Sequence, residues 1–127
     1  LNEGSDVTIV ATGHLVWKAI EAGHILAEEG ISVDLINIHT IKPLDVNAIV
    51  KSLDKTGAVV TCEEHNVNGG LGESVSRVIA SNKLVPQEFV AVQDSFGESG
   101  TPDELMDKYG LNTAGIVEAV KKVISRK

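Results

Sequence analysis

The residues Glu63-Glu64-His65-Asn66-Val67-Asn68-Gly69-Gly70-Leu71-Gly72-Glu73 gather carboxylates, an imidazole and amide side chains where an apolar run ends, then pass through glycines into a helical pattern. Open α/β folds place binding sites at such strand exits. Backbone amides in the turn can cradle a small anion at the start of the following helix. A dinucleotide site is a poorer match, because its fingerprint needs a small residue where this chain has Val75. Close packing of strand against helix is the expected use of Gly69-Gly70-Leu71-Gly72. The histidines His14, His24, His39 and His65 lack the short spacing of metal ligands, and Cys62 falls inside an apolar run, where it reads as core. Gly97-Glu98-Ser99-Gly100 approaches a nucleophile elbow, but Thr101 stands where the second glycine is required. Glu63 and Glu64 alternate in direction along a strand end, so only one can enter any site, and a solvated rim carboxylate is the expected state of such a residue. These residues assemble no complete catalytic set and no metal site.

The elements that must position them follow from periodicity. Val7-Thr8-Ile9-Val10-Ala11 reads as a first strand stopping at Thr12-Gly13, and Leu15, Ala19, Ala22 and Leu26 fall on one face of a helix that Gly30 ends. Residues 32–38 read as a second strand. Asp45 is placed to cap a helix carrying Val46, Ile49, Val50 and Leu53 on one side. Gly57 restarts the chain as strand, and Ala58-Val59-Val60-Thr61-Cys62 has the continuous apolar character of a central parallel strand covered on both faces. Leu71, Val75, Val78 and Ile79 form a third helical stripe, and Phe89-Val90-Ala91-Val92 a fourth strand after Pro86. Thr101-Pro102-Asp103-Glu104 opens a short helix running to Tyr109, and Thr113 is placed to cap a last one bearing Ile116, Val117, Val120, Val123 and Ile124.

Strand–helix alternation predicts a parallel sheet with right-handed crossovers. With strand order 2-1-3-4, the switch point lies between the first and third strands, and His14 and His65 share one crevice. The candidate anion or interface site is therefore His14, His65, Asn66, Gly69 and Gly70.

The 127 residues suit one compact domain, residues 1–127, with 43% apolar against 23% charged residues. A formal charge of −7 argues against a broad nucleic-acid or anionic-membrane surface. The single cysteine removes any internal disulfide and points to a reducing, cytoplasmic setting. No apolar run approaches the roughly 20 residues that span a bilayer. The chain opens at Leu1 and its only methionine is Met106, so it is expected to be a piece of something longer.

Four segments in order carry a family resemblance: Gly4-Ser5-Asp6-Val7-Thr8-Ile9-Val10-Ala11-Thr12-Gly13; Ile41-Lys42-Pro43-Leu44-Asp45; Glu63-Glu64-His65 leading to Gly69-Gly70-Leu71-Gly72; and Phe96-Gly97-Glu98-Ser99-Gly100-Thr101-Pro102-Asp103-Glu104-Leu105 followed by Tyr109-Gly110-Leu111. Along essentially its whole length the sequence resembles the C-terminal domain of transketolase-like, thiamine-diphosphate-dependent enzymes. The resemblance implies a three-layer α/β/α fold with a mostly parallel sheet, edged by an antiparallel strand that would precede Leu1. It also implies a parent that transfers a two-carbon ketol unit between sugar phosphates, using thiamine diphosphate and Mg2+ bound by upstream diphosphate- and pyrimidine-binding domains across a dimer interface. Neither of those domains is in this chain, so no cofactor is expected on it and its role is expected to be assembly.

The Ser99-Gly100-Thr101-Pro102 loop followed by Tyr109-Gly110-Leu111 resembles the synthase-like and split transketolases at least as closely as the long eukaryotic type, and the favoured parent is a split transketolase, whose C-terminal subunit would carry the middle domain and this one. The equivalent domain of 1-deoxyxylulose-5-phosphate synthases or of 2-oxoacid dehydrogenase beta subunits is the alternative parent, and a small-anion regulatory module the alternative role. In the favoured reading the partners are the missing domains or subunit and, in the parent, a second copy.

Overall fold

A computed structural model describes residues 4–13, 15–38, 45–66, 70–82, 84–92 and 112–127, with the side chains of 64–66 and 92 outside that description. Four strands and four helices alternate among the described residues: β1 (Val7–Ala11), α1 (Leu15–Glu28), β2 (Val33–Asn37), α2 (Val46–Thr56), β3 (Val59–Asn66), α3 (Leu71–Asn82), β4 (Gln87–Val92) and α4 (Thr113–Ser125). The strands form one parallel sheet in the order β2-β1-β3-β4, as the alternation and the resemblance both predict.

Side-chain parity along β1 and β3 builds the three layers. Val7, Ile9 and Ala11 of β1, with Val60 and Cys62 of β3, face α1 and α4, where they pack with Leu15, Ala19, Leu26, Ile116 and Val120. Val10 and Val59 face the other way and pack with Ile49 and Leu53 of α2 and Leu71, Val75 and Ile79 of α3. Both faces of the two central strands are thus covered, which is why they read as unbroken apolar runs. Each fully buried Leu or Ile in these two clusters contributes about 1.5–3 kcal/mol of transfer free energy.

Punctuation residues act as their chemistry dictates. The Asp45 carboxylate accepts the Ala48 N–H at 3.0 Å and caps α2. Gly57 closes that helix at φ +73°, and Gly30 ends the turn after α1 at φ +83°, a region where a Cβ is strained. One polar chain crosses the α2 layer: Thr8 Oγ1 lies 2.7 Å from both Ser52 Oγ and Thr56 Oγ1, and Ser52 Oγ donates to Asp34 Oδ2 at 2.5 Å. With the Ser52 proton on Asp34, which Lys55 also approaches at 3.4 Å, Thr8 can donate to Ser52, while the one proton of Thr56 is shared between two acceptors, Thr8 Oγ1 and the Ala58 carbonyl at 3.2 Å.

Boundaries of four elements differ from the sequence reading. β3 runs on to Asn66 rather than stopping at Cys62, because its backbone keeps pairing with β4 after the apolar pattern ends. The register slips between Cys62↔Val90 and Asn66↔Val92, a bulge that periodicity does not reveal. The cap of α4 is Asn112, whose Oδ1 accepts the Gly115 N–H at 2.8 Å, and Thr113 takes the first helical position. An amide oxygen one residue upstream reaches the free amide that Thr113 was expected to hold. β2 and β4 also shift at their ends, to Val33–Asn37 and Gln87–Val92. The short helix expected from Thr101 to Tyr109 lies outside the described residues. Among the described residues, no helix is long and apolar enough to cross a membrane.

Candidate functional site

The strand order puts the carboxyl ends of β1 and β3 side by side. The Thr12 N–H donates to the Cys62 carbonyl at 3.2 Å, and the Ile38 N–H donates to that of Ala11 at 3.0 Å, so three strand exits are tied together at one end of the sheet. β1 has β2 on one side and β3 on the other, which makes this edge the switch point of an open α/β sheet.

Of the five site residues expected there, the backbones of His65 and Asn66 form the last two positions of β3, and Gly70 is buried immediately before α3. The Gly70 carbonyl accepts the Ser74 N–H at 3.1 Å, the first bond of the helix. His14 and Gly69 lie outside the described residues, as does the crevice proposed between His14 and His65.

Glu63 corrects the sequence reading. Expected as a solvated rim carboxylate, it is 1% exposed. Its parity places it with Val59 and Thr61 on the α2–α3 face of β3, directly beneath the start of α3. There its Oε1 accepts the Leu71 N–H at 2.8 Å and its Oε2 accepts the Gly72 N–H at 2.6 Å. Those are two of the four amides that every helix start leaves without an intrahelical partner. Gly70, the residue before the helix, has no side chain to cap it, so the acceptor comes from the preceding strand. The position where nucleotide-binding folds seat a phosphate is therefore filled by the protein's own carboxylate.

The glycines do what close packing demands. A Cβ on Gly72 would collide with the Phe89 ring, 2.6 Å from its Cε2, and would sit 3.0 Å from Thr61 Oγ1. Gln87 locks the same spot: its Nε2 donates to the Gly72 carbonyl at 3.0 Å and to Thr61 Oγ1 at 3.2 Å, while its Oε1 accepts from Ser76 Oγ at 2.7 Å. The sequence reading missed Gln87 and Phe89 as supports of this turn. The capless Gly70 was the signal that an acceptor had to arrive from elsewhere in the fold.

Cys62 is fully buried among the α1–α4 cluster. Burial, and secondarily the neighbouring Glu63 charge, push its thiol far above the ordinary value, which favours the protonated form. Among the described residues, no three His, Cys, Asp or Glu side chains gather to hold a metal ion. With the Leu71 and Gly72 amides of α3 also engaged, the described residues offer thiamine diphosphate and Mg2+ no matching donor set.

Comparison with known proteins agrees with this architecture. The chain is 46% identical, over 127 residues and 100% of its length, to a 6-deoxy-6-sulfo-D-fructose transketolase subunit of Clostridium sp. (strain MSTE9), of which it covers 39%. A solved split-gene transketolase, described as an inactive beta4 tetramer, superposes with a TM-score of 0.93 at 46% identity over 98% of this chain and 41% of that one. A 1-deoxy-D-xylulose-5-phosphate synthase of Desulforudis audaxviator (strain MP104C) is 36% identical over 95% of this chain and 19% of its own. The chain thus spans less than half the length of these relatives. Residues 1–116 match the profile of the transketolase C-terminal domain, and the chain belongs to that family.

Proposed function

We propose that this chain is the C-terminal domain of a split transketolase subunit. The parent transfers a two-carbon ketol unit between sugar phosphates, with thiamine diphosphate and Mg2+ held by domains other than this one. In that reading, residues 1–127 are a single domain of a longer chain, cytoplasmic and part of a dimeric assembly, and they contribute to assembly rather than to catalysis. His14, His65, Asn66, Gly69 and Gly70 belong to the surface that meets the partner domains.

The observation that supports this best is 46% identity along the whole chain to a transketolase subunit of which it covers 39%, together with the same identity to a solved split-gene transketolase. That relative's name gives it a sulfonated ketose, so the donor panel includes 6-deoxy-6-sulfofructose beside the ketose phosphates, both being sugars with an anionic terminus. Reconstituting the full-length subunit with a diphosphate-binding partner, thiamine diphosphate and Mg2+ tests the reading, with ketol transfer expected only when both subunits are present.

The synthase is the second reading, supported by 36% identity over 95% of this chain. Turnover of pyruvate with glyceraldehyde phosphate, and of no ketose donor, would favour it.

A further inference from the structure

We propose that Arg126 guards the open edge of β4 and so keeps two copies of this chain from pairing there strand to strand. β4 ends the β2-β1-β3-β4 order and, among the described residues, pairs only with β3. The Pro86 carbonyl accepts the Val59 N–H at 3.1 Å, so alternate positions counted from Pro86 turn their backbone groups toward β3. Gln87, Phe89 and Ala91 therefore turn theirs outward. Such a row of N–H and C=O groups is a template for another strand. The segment Gln87-Glu88-Phe89-Val90-Ala91-Val92 suits that pairing, being rich in β-branched and aromatic residues, low in charge and free of proline. Phe89 is also 36% exposed.

The strand this edge fits is its own copy. About a twofold axis at Phe89, an antiparallel pair sets Phe89 opposite Phe89 and Gln87 opposite Ala91, so each outward group meets its complement. On the flank toward α4, a cavity of about 240 Å3 lined by Val90, Gly115, Glu118, Ala119 and Lys122 leaves room for the second copy's side chains. Glu118 and Lys122 stand one helical turn apart, and the twofold would present them in reversed order, opposite charge to opposite charge. Arg126 stands in the way. Its Nη1 donates to the outward Gln87 carbonyl at 3.0 Å and pairs with Glu88 Oε2, while Lys122 Nζ lies 3.5 Å from Glu88 Oε1. The guanidinium thus occupies the carbonyl that Ala91 of a second copy needs, and by symmetry it does so at both ends of the ladder. It also puts a charge on the edge, one that a second strand would strip of water.

The test compares the full-length chain with its Arg126→Ala and Glu88→Gln variants by sedimentation velocity over a range of concentrations. Arg126→Ala frees the Gln87 carbonyl of each copy for strand pairing. It is expected to associate beyond the wild-type state at a concentration about tenfold lower or less, the effect of gaining a neutral hydrogen bond at each end of the ladder. Glu88→Gln keeps Arg126 but removes the carboxylate that aims it, so a smaller shift in the same direction is expected. Amide hydrogen exchange locates the contact: in associated Arg126→Ala, Phe89 and Ala91 should exchange more slowly than in the dilute variant, while the amides of β2, at the other edge, do not change. An Arg126→Ala chain with the wild-type association curve overturns the proposal, as does one that associates with unchanged exchange at Phe89 and Ala91. Association through unfolding is told apart because it speeds exchange throughout the sheet, and that result overturns the proposal too. Should Arg126→Ala not fold, Glu88→Gln decides, and a curve identical to wild type overturns the proposal.

Discussion

At the scale of single residues, the turn between β3 and α3 is governed by what fits and what is paired. Gly72 has no room for a methyl group, so Gly72→Ala is expected to destabilise the domain by about 1–3 kcal/mol, the usual cost of overpacking. The strain arises against one ring, and Gly72→Ala combined with Phe89→Ala should cost less than the sum of the two single changes in a urea-denaturation double-mutant cycle. Asp6 gives a pH-dependent counterpart. The Ser32 N–H and then the Ser32 hydroxyl, at 2.7 and 3.0 Å, hold its carboxyl below the ordinary 3.8, with Lys127 adding to the effect. Its folded value is lower than its unfolded one, so the stabilisation is complete above that ordinary value and is lost as pH falls through the folded one. Acid titration of the unfolding midpoint should therefore show a shallower decline below pH 3.8 in Asp6→Asn than in wild type.

At the scale of elements, periodicity was enough to read the sheet. Leu15, Ala19, Ala22 and Leu26 in α1, Ile49 and Leu53 in α2, and the unbroken Val59–Cys62 run all lie where their spacing puts them. Spacing determines which face of an element a residue takes, but not what the facing element presents there. Glu63 was read as a rim residue for that reason: its partners are amides eight and nine positions further on, and only the packing of α3 over β3 brings them within reach. The same holds for Gln87, whose hydrogen bonds to Gly72 and Thr61 cross three elements, and for the bulge that carries β3 on to Asn66. Local caps were easier to read, since Asp45 acts within its own turn, and even there Asn112 displaced Thr113 by one residue. The hydroxyl chain in the α2 layer was likewise invisible in one dimension, because Thr8 and Ser52 are 44 positions apart. Thr8→Val removes its central link while keeping strand propensity, and a loss of about 1–2 kcal/mol is expected in chemical denaturation, the cost of leaving buried hydroxyls short of a partner.

At the scale of the whole molecule, the sheet's carboxyl edge is where strand order and polar sequence coincide. Two apolar clusters brace the sheet from both faces. At the opposite edge Lys127 Nζ donates to the Asp6 carbonyl at 3.0 Å, and Arg126 pairs with Glu88 of β4, so residues 126 and 127 tie α4 to the entries of β1 and β4. The domain belongs to the transketolase C-terminal family and spans less than half the length of the relatives it matches. The most direct measurement is ketol transfer by the full-length subunit mixed with a diphosphate-binding partner, thiamine diphosphate and Mg2+, assayed with ketose phosphates, 6-deoxy-6-sulfofructose, and pyruvate with glyceraldehyde phosphate. Transfer of a two-carbon unit from a ketose donor, dependent on both subunits, is the result predicted. Condensation of pyruvate with glyceraldehyde phosphate, and no turnover of any ketose, would contradict the split-transketolase account.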